Sequence, residues 1–139
     1  MKRTVFVVVP LLLVLFSSCT NPLKAGEWSD KSVADFHQKL DQAQFHEMYV
    51  GSAPEFQQAS SEKEITDLFN AIHTKLGNVR SSNRVGIFMN ATTKGNFVRT
   101  TYDTTFATGK GQETFNWRLV NDQLTLVGYN IESRDLITK

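Results

Sequence analysis

The sequence predicts an α+β domain in which N-terminal helices pack on one face of a four-stranded antiparallel β-meander. Two patterns predict it. From Asn83 to Glu132 the apolar residues fall on alternate positions in four runs, separated by turns that carry Gly, Asn and Asp, the period-two signature of half-buried strands. Between residues 29 and 77 they recur instead at i, i+3 and i+7, the spacing of amphipathic helices. At 139 residues the chain suffices for one domain that buries roughly two thirds of its unfolded surface.

The amino end reads as an export signal. Met1-Lys2-Arg3 is basic, Val5 to Phe16 is apolar, and Ser17-Ser18-Cys19 follows; the run is too short for a spanning helix of roughly 20 residues. Its end, Leu15-Phe16-Ser17-Ser18-Cys19, resembles the bacterial lipobox, with Phe16 where Leu is usual. That resemblance implies a lipid on Cys19, the single cysteine of the chain. It divides the chain into a signal at residues 1–18, a lipidated Cys and polar tether at 19–27, and one domain at 28–139. Thr20 after the cysteine implies sorting to the outer membrane, facing the periplasm. Removing Lys2 and Arg3 with the signal takes the formal charge from +1 to −1, a balance that excludes nucleic acid as an expected partner.

Ser29 or Asp30 is expected to cap a first helix with Val33, Phe36, Leu40 and Ala43 inward. Phe45, Met48 and Tyr49 are out of phase with it, so a turn near Asp41 to Gln44 and a second short helix are expected. Gly51-Ser52-Ala53-Pro54 ends that helix, and one further turn surrounds Phe56. Ser61 with Glu64 is a capping box; Ile65, Leu68, Phe69, Ile72 and Leu76 form one face, and Gly77 stands at the C-cap. Residues 78–82 then connect to the sheet.

Strand register follows from parity. In the first strand Val85, Ile87, Met89 and Ala91 face inward and Arg84, Gly86, Phe88 and Asn90 outward. In the second, Val98, Thr100, Tyr102, Thr104 and Phe106 are inward; in the third, Phe115, Trp117 and Leu119. Two-residue loops at Lys94-Gly95, Gly109-Lys110 and Asn121-Asp122 make the apolar faces coincide. The middle loop sets Trp117 against Tyr102. The last sets Leu119 against Leu124 and Trp117 against Leu126. Val127, Tyr129 and Ile131 have the opposite parity to Leu124 and Leu126, so Gly128 is expected to mark a bulge that switches faces.

This order of parts resembles the cone-shaped superfamily related to nuclear transport factor 2 and cystatin, and within it short bacterial lipoproteins carrying a domain of unknown function. The resemblance rests on Leu40-Asp41 before Phe45, the segment from Ser52 to Phe56, Leu76-Gly77, and the phrase from Leu124 to Ile131. It implies a cone whose mouth, in the enzymes of the superfamily, holds acids and bases.

Glu113 is the acid that parity places on the inner face, opposite Phe106 near the Gly109 turn; a carboxylate among aromatic rings there is a candidate general acid or base. On the outer face Arg84, Arg99 and Arg118, with Phe88 and Phe97, form a candidate partner surface. His37, His46 and His73 have no metal-ligand spacing; His37 and His73 are expected on helix surfaces and His46 partly buried. No metal site and no cofactor motif is expected. The reading that follows is a lipid-anchored, non-enzymatic binding domain held to the membrane through Cys19, with a protein or small-molecule partner. The alternative is a pocket with general acid–base activity of the isomerase or dehydratase kind.

Overall fold

The computed structural model describes residues 21–138, so Cys19 and the export signal lie outside the described residues. Four helices precede the sheet: α1 (Pro22–Asp41), α2 (Phe45–Val50), α3 (Pro54–Ala59) and α4 (Glu62–Leu76). The strands β1 (Val79–Thr92), β2 (Gly95–Phe106), β3 (Lys110–Val120) and β4 (Gln123–Glu132) form one antiparallel meander in chain order, and a short α5 (Arg134–Thr138) closes the chain. This is the α+β class expected.

The first helix starts seven residues earlier than its expected cap. The Asn21 side chain accepts the Leu23 N–H, and Pro22 occupies the first turn, the position where a missing N–H costs nothing. Residues 22–27, expected as tether, are therefore helical. Gly26 allows the packing: a Cβ there would stand 2.5 Å from the Arg84 guanidinium. The buried face runs through Ala25, Ser29, Val33, Phe36, His37 and Leu40. Ala43, expected on it, lies beyond the helix at φ 53°. The capping box of α4 forms as expected, and Gly77 ends the helix at φ 76°.

Every strand face expected from parity is observed in β2 and β3, but two of three registers slide along the strands. The first loop is Thr93-Lys94, because Thr92 pairs with Gly95, and Met89 lies opposite Val98. The second is a four-residue turn, so Trp117 pairs with Val98, Phe115 with Thr100 and Glu113 with Tyr102. Tertiary hydrogen bonds set it: Ala107 N–H donates to Asn78 O at 2.8 Å and Thr108 N–H to Leu76 O at 2.9 Å. The turn is thus tied to the end of α4. The third hairpin has the expected register, with Asn121 at φ 49° and Asp122 at φ 61°, the left-handed pair of a type I′ turn.

Bulges decide which side chains reach the helices. In β4 the register shifts opposite Asn116 and Trp117, so Tyr129 and Ile131 join the core as expected. β1 carries two shifts that parity does not predict, one between Val79 and Ser81 and another between Arg84 and Gly86. The latter leaves Val85 outside the alternation and turns Ser82 and Arg84 toward α1. β1 also begins at Val79, so residues 79–82, expected as a connection, are strand. The free edge of β4 is capped where Ala53 N–H donates to Leu126 O at 2.8 Å.

Between helices and sheet lies an aromatic core. Phe36 contacts Phe69, Phe115 and Tyr129 with ring centroids 5.0–5.4 Å apart, and Phe115 stacks on Trp117 at 5.4 Å and 7°. Edge-to-face and stacked rings of this kind add roughly 0.5–1.5 kcal/mol per pair beyond burial.

Candidate functional site

At the centre of this core sits Glu113, with no exposed surface. Its carboxylate receives Thr104 Oγ1–H at 2.5 Å and Tyr129 O–H at 2.7 Å, and lies 2.7 Å from His37 Nε2. Four elements meet here, because α1 brings His37, β2 Thr104, β3 Glu113 and β4 Tyr129. A buried carboxylate needs such donors, since an unpaired one costs several kcal/mol. Thr104 is also bonded to Ser82 Oγ at 2.9 Å. Having given its proton to Glu113, Thr104 accepts from Ser82.

The expectation for Glu113 is corrected in its position. It faces inward, but opposite Tyr102 in mid-sheet rather than opposite Phe106 at the turn. His37, expected on a helix surface, is 6% exposed. The sequence did carry a signal: His37 lies four residues after Val33 and three before Leu40, inside the apolar stripe. His46, expected partly buried, is exposed and bonds Glu62 at 2.6 Å. That bond and the Glu62 charge raise its pKa. His73 is half-buried against the Phe45 ring.

A second relay runs about two turns up α1. Trp117 Nε1–H donates to Thr100 Oγ1 at 3.0 Å, Ser29 Oγ lies 2.8 Å from Thr100 Oγ1 and 2.9 Å from the Tyr102 hydroxyl, and Tyr102 O–H donates to Asp30 at 2.7 Å. Each hydroxyl has one proton, so Tyr102 accepts from Ser29 and Ser29 from Thr100. The chain ends on Asp30, which also takes the Arg84 guanidinium at 3.0 Å.

Arg84 is therefore removed from the outer patch and serves the helix–sheet contact. Arg118 stays outside but pairs with Glu55 of α3 and lies 5.4 Å over the Phe97 ring. Arg99 is held by Asn116 Oδ1 at 2.8 Å. Of the expected surface, Phe88 (63% exposed), Phe97, Arg99 and Arg118 share the outer face. Two of the three arginines already have a carboxylate partner.

An open cleft of ≈ 650 Å³ lies beside α1, lined among others by His37, Asp41, Gln38, Asn78, Ser82 and Tyr102. His37 thus stands between the cleft and Glu113. With Nε2–H given to Glu113, a neutral imidazole would keep Nδ1 as an acceptor, the arrangement by which a carboxylate orients a histidine for proton exchange. Across α1 lies a smaller, more apolar hollow of ≈ 330 Å³ floored by Phe36, Met48, Trp117 and Leu126; it touches neither polar relay's acid. Among the described residues no group of three or more His, Cys, Asp or Glu is placed to hold a metal, and no helix is long and apolar enough to cross a membrane.

Burial, then the Glu113 charge and the bond to it, raise the Tyr129 pKa well above its ordinary value. Burial is also the main cause raising Tyr102. Between the unfolded pKa of about 10 and the folded one, the native state holds a proton that the unfolded chain has lost. Stability contributed by Tyr129 is thus complete below pH ~10 and falls as pH rises, by about 1.4 kcal/mol per pH unit. Urea melts from pH 9 to 11.5 should show this decline, and Tyr129→Phe should make it shallower; an unchanged slope would refute the assignment.

A helix layer over a curled antiparallel sheet, with polar groups meeting inside, defines the cone fold of nuclear transport factor 2-like proteins. A crystal structure of a presumed scytalone dehydratase from Novosphingobium aromaticivorans has this fold: it matches 80% of this chain and 85% of its own with a TM-score of 0.51 at 12% identity. The chain belongs to the DUF4019 family, proteins of unknown function, whose profile matches residues 32–129. No curated protein matches it by sequence.

Proposed function

We propose that this is a lipid-anchored protein of the bacterial envelope whose cone domain binds a small molecule in the cleft beside α1, with His37, oriented by Glu113, as the group that exchanges a proton with it. One observation carries the reading: a histidine on the cleft wall lies 2.7 Å from a fully buried carboxylate. Glu113 by itself would be an isolated acid; with His37 it has the positioned second group that acid–base work needs. The charged residues lining the cleft are Asp30 and Asp41, without Lys or Arg. A neutral or cationic polar molecule fits that lining better than an anion. The lipobox-like run supports the anchor at Cys19 and a place in the outer membrane facing the periplasm.

Thermal-shift screening of metabolites and envelope components supplies the test. A hit should lose its shift in His37→Gln and keep it in Arg99→Glu and Phe88→Ser on the outer face. The reverse pattern would transfer function to the sheet's outer surface, the platform that Phe88, Phe97, Arg99 and Arg118 form.

A further inference from the structure

Residues 22–27 of the segment read as a tether are helix, and this changes how the domain meets a lipid surface. Pro22 is the first residue of α1, three residues after Cys19. Three residues span at most about 11 Å by any path. α1 is not free to swing: Ala25 and Ser29 are fully buried, and Arg84 packs against Gly26. A lipid on Cys19 would hold a rigid body at close range.

The registers say which end of that body is held. At its far end α1 reaches Val79, whose N–H donates to Asp41 Oδ1 at 3.0 Å, beside the turn that Leu76 O and Asn78 O tie down. From the Ser29–Thr100 contact, α1 runs the other way for seven residues, roughly 10 Å. β2 runs in the same direction to Gly95, roughly 16 Å. The Thr93-Lys94 and Asn121-Asp122 turns therefore lie at the N-terminal end of α1, because Asn96 pairs with both Ala91 and Leu119. That end presents Leu23, 78% exposed, and Val120, 54% exposed. Its exposed cations Lys24 and Lys94 are balanced by Glu27 and Asp122.

We propose that the domain stands end-on against the phospholipid surface, with Leu23 seated in the interface beside the lipid on Cys19 and the His37 cleft directed away from it. The proposal rests on the reading of Cys19 as lipidated. An apolar side chain in the first turn adds buried apolar area to that of the lipid. The balanced charges make the attachment insensitive to salt. His37 lies fifteen residues along α1 from Pro22, roughly 22 Å, so the cleft stays open to solute while the domain is docked.

The test uses the full-length, acylated protein in vesicles of phosphatidylethanolamine and phosphatidylglycerol containing brominated lipid. With the Cys19 sulfur acylated, Leu23→Cys and Ala107→Cys each carry one free thiol for a bimane probe. Residue 107 lies at the opposite end. Quenching at position 23 should exceed that at 107 several-fold, persist in high salt, and fall to the level at 107 when a long flexible Gly-Ser segment is inserted between Thr20 and Asn21. Equal quenching at both positions, with the acyl mass present by mass spectrometry, would overturn the docked pose and leave the anchor standing. A full-length protein lacking the acyl mass would remove the anchor and the pose together. Quenching that survives the insertion would overturn the short connection as its cause.

Discussion

Glu113→Ala should cost about 3–5 kcal/mol of unfolding free energy, near the low end for stranding three buried polar groups. The cost comes from what stays behind. Thr104 Oγ1–H, Tyr129 O–H and the His37 ring all point at the carboxylate, and each buried polar group without a partner costs about 1–3 kcal/mol. Glu113 is 0% exposed, so bulk solvent does not reach the groups left behind. Glu113→Gln keeps the volume and one acceptor oxygen, but its amide N–H groups face hydroxyl donors that must rotate. Its loss should be smaller, about 1–3 kcal/mol. Urea unfolding with an unchanged m-value measures both. If Glu113→Ala cost less than about 1 kcal/mol, well below that range, the four-element junction would not exist as described. In Glu113→Gln, loss of the ligand-induced thermal shift beyond what the stability change explains would separate orienting His37 from holding the fold.

Trp117→Ala should lose a similar amount, about 3–5 kcal/mol, as expected for a large aromatic removed from a core. Trp117 is 3% exposed, stacks on Phe115 and lies between Val98 and Leu126 on the neighbouring strands. Its Nε1–H also starts the relay through Thr100. Trp117→Phe keeps most of the stack and deletes only the donor, so it should cost nearer 1 kcal/mol. Denaturant midpoints with equal slopes decide it. A loss below about 1 kcal/mol for the alanine variant would be too small for a core aromatic and would mean that the apolar sheet face is turned outward.

These two residues differ in how legible they were. Alternation alone places Trp117 on the inner face, where it is buried. Glu113 was placed on the same face by the same rule, yet its three partners were not visible. His37 lies 76 residues away in sequence, on a helix whose stripe was read through Val33, Phe36 and Leu40. Tyr129 was expected inside, with nothing to show which acid it meets. The outer patch is smaller than alternation predicts, since the bulge at Val85 turns Arg84 to α1, where it meets Asp30.

Readable directly from the residues are the class, the four strands, their inner faces in β2 and β3, the Asn121-Asp122 turn and the capping box of α4. Each depends on contacts a few residues apart or on a period of two that the apolar residues print directly. How far the strands slide past one another is set by long-range contacts instead. A slip by two residues leaves every inner side chain inner, so parity cannot detect it, and the register was settled by the carbonyls of Leu76 and Asn78 at the end of a distant helix. The same holds for the site: which hydroxyl, imidazole and carboxylate meet depends on that slide, and a sequence pattern blind to even shifts carries no information about it.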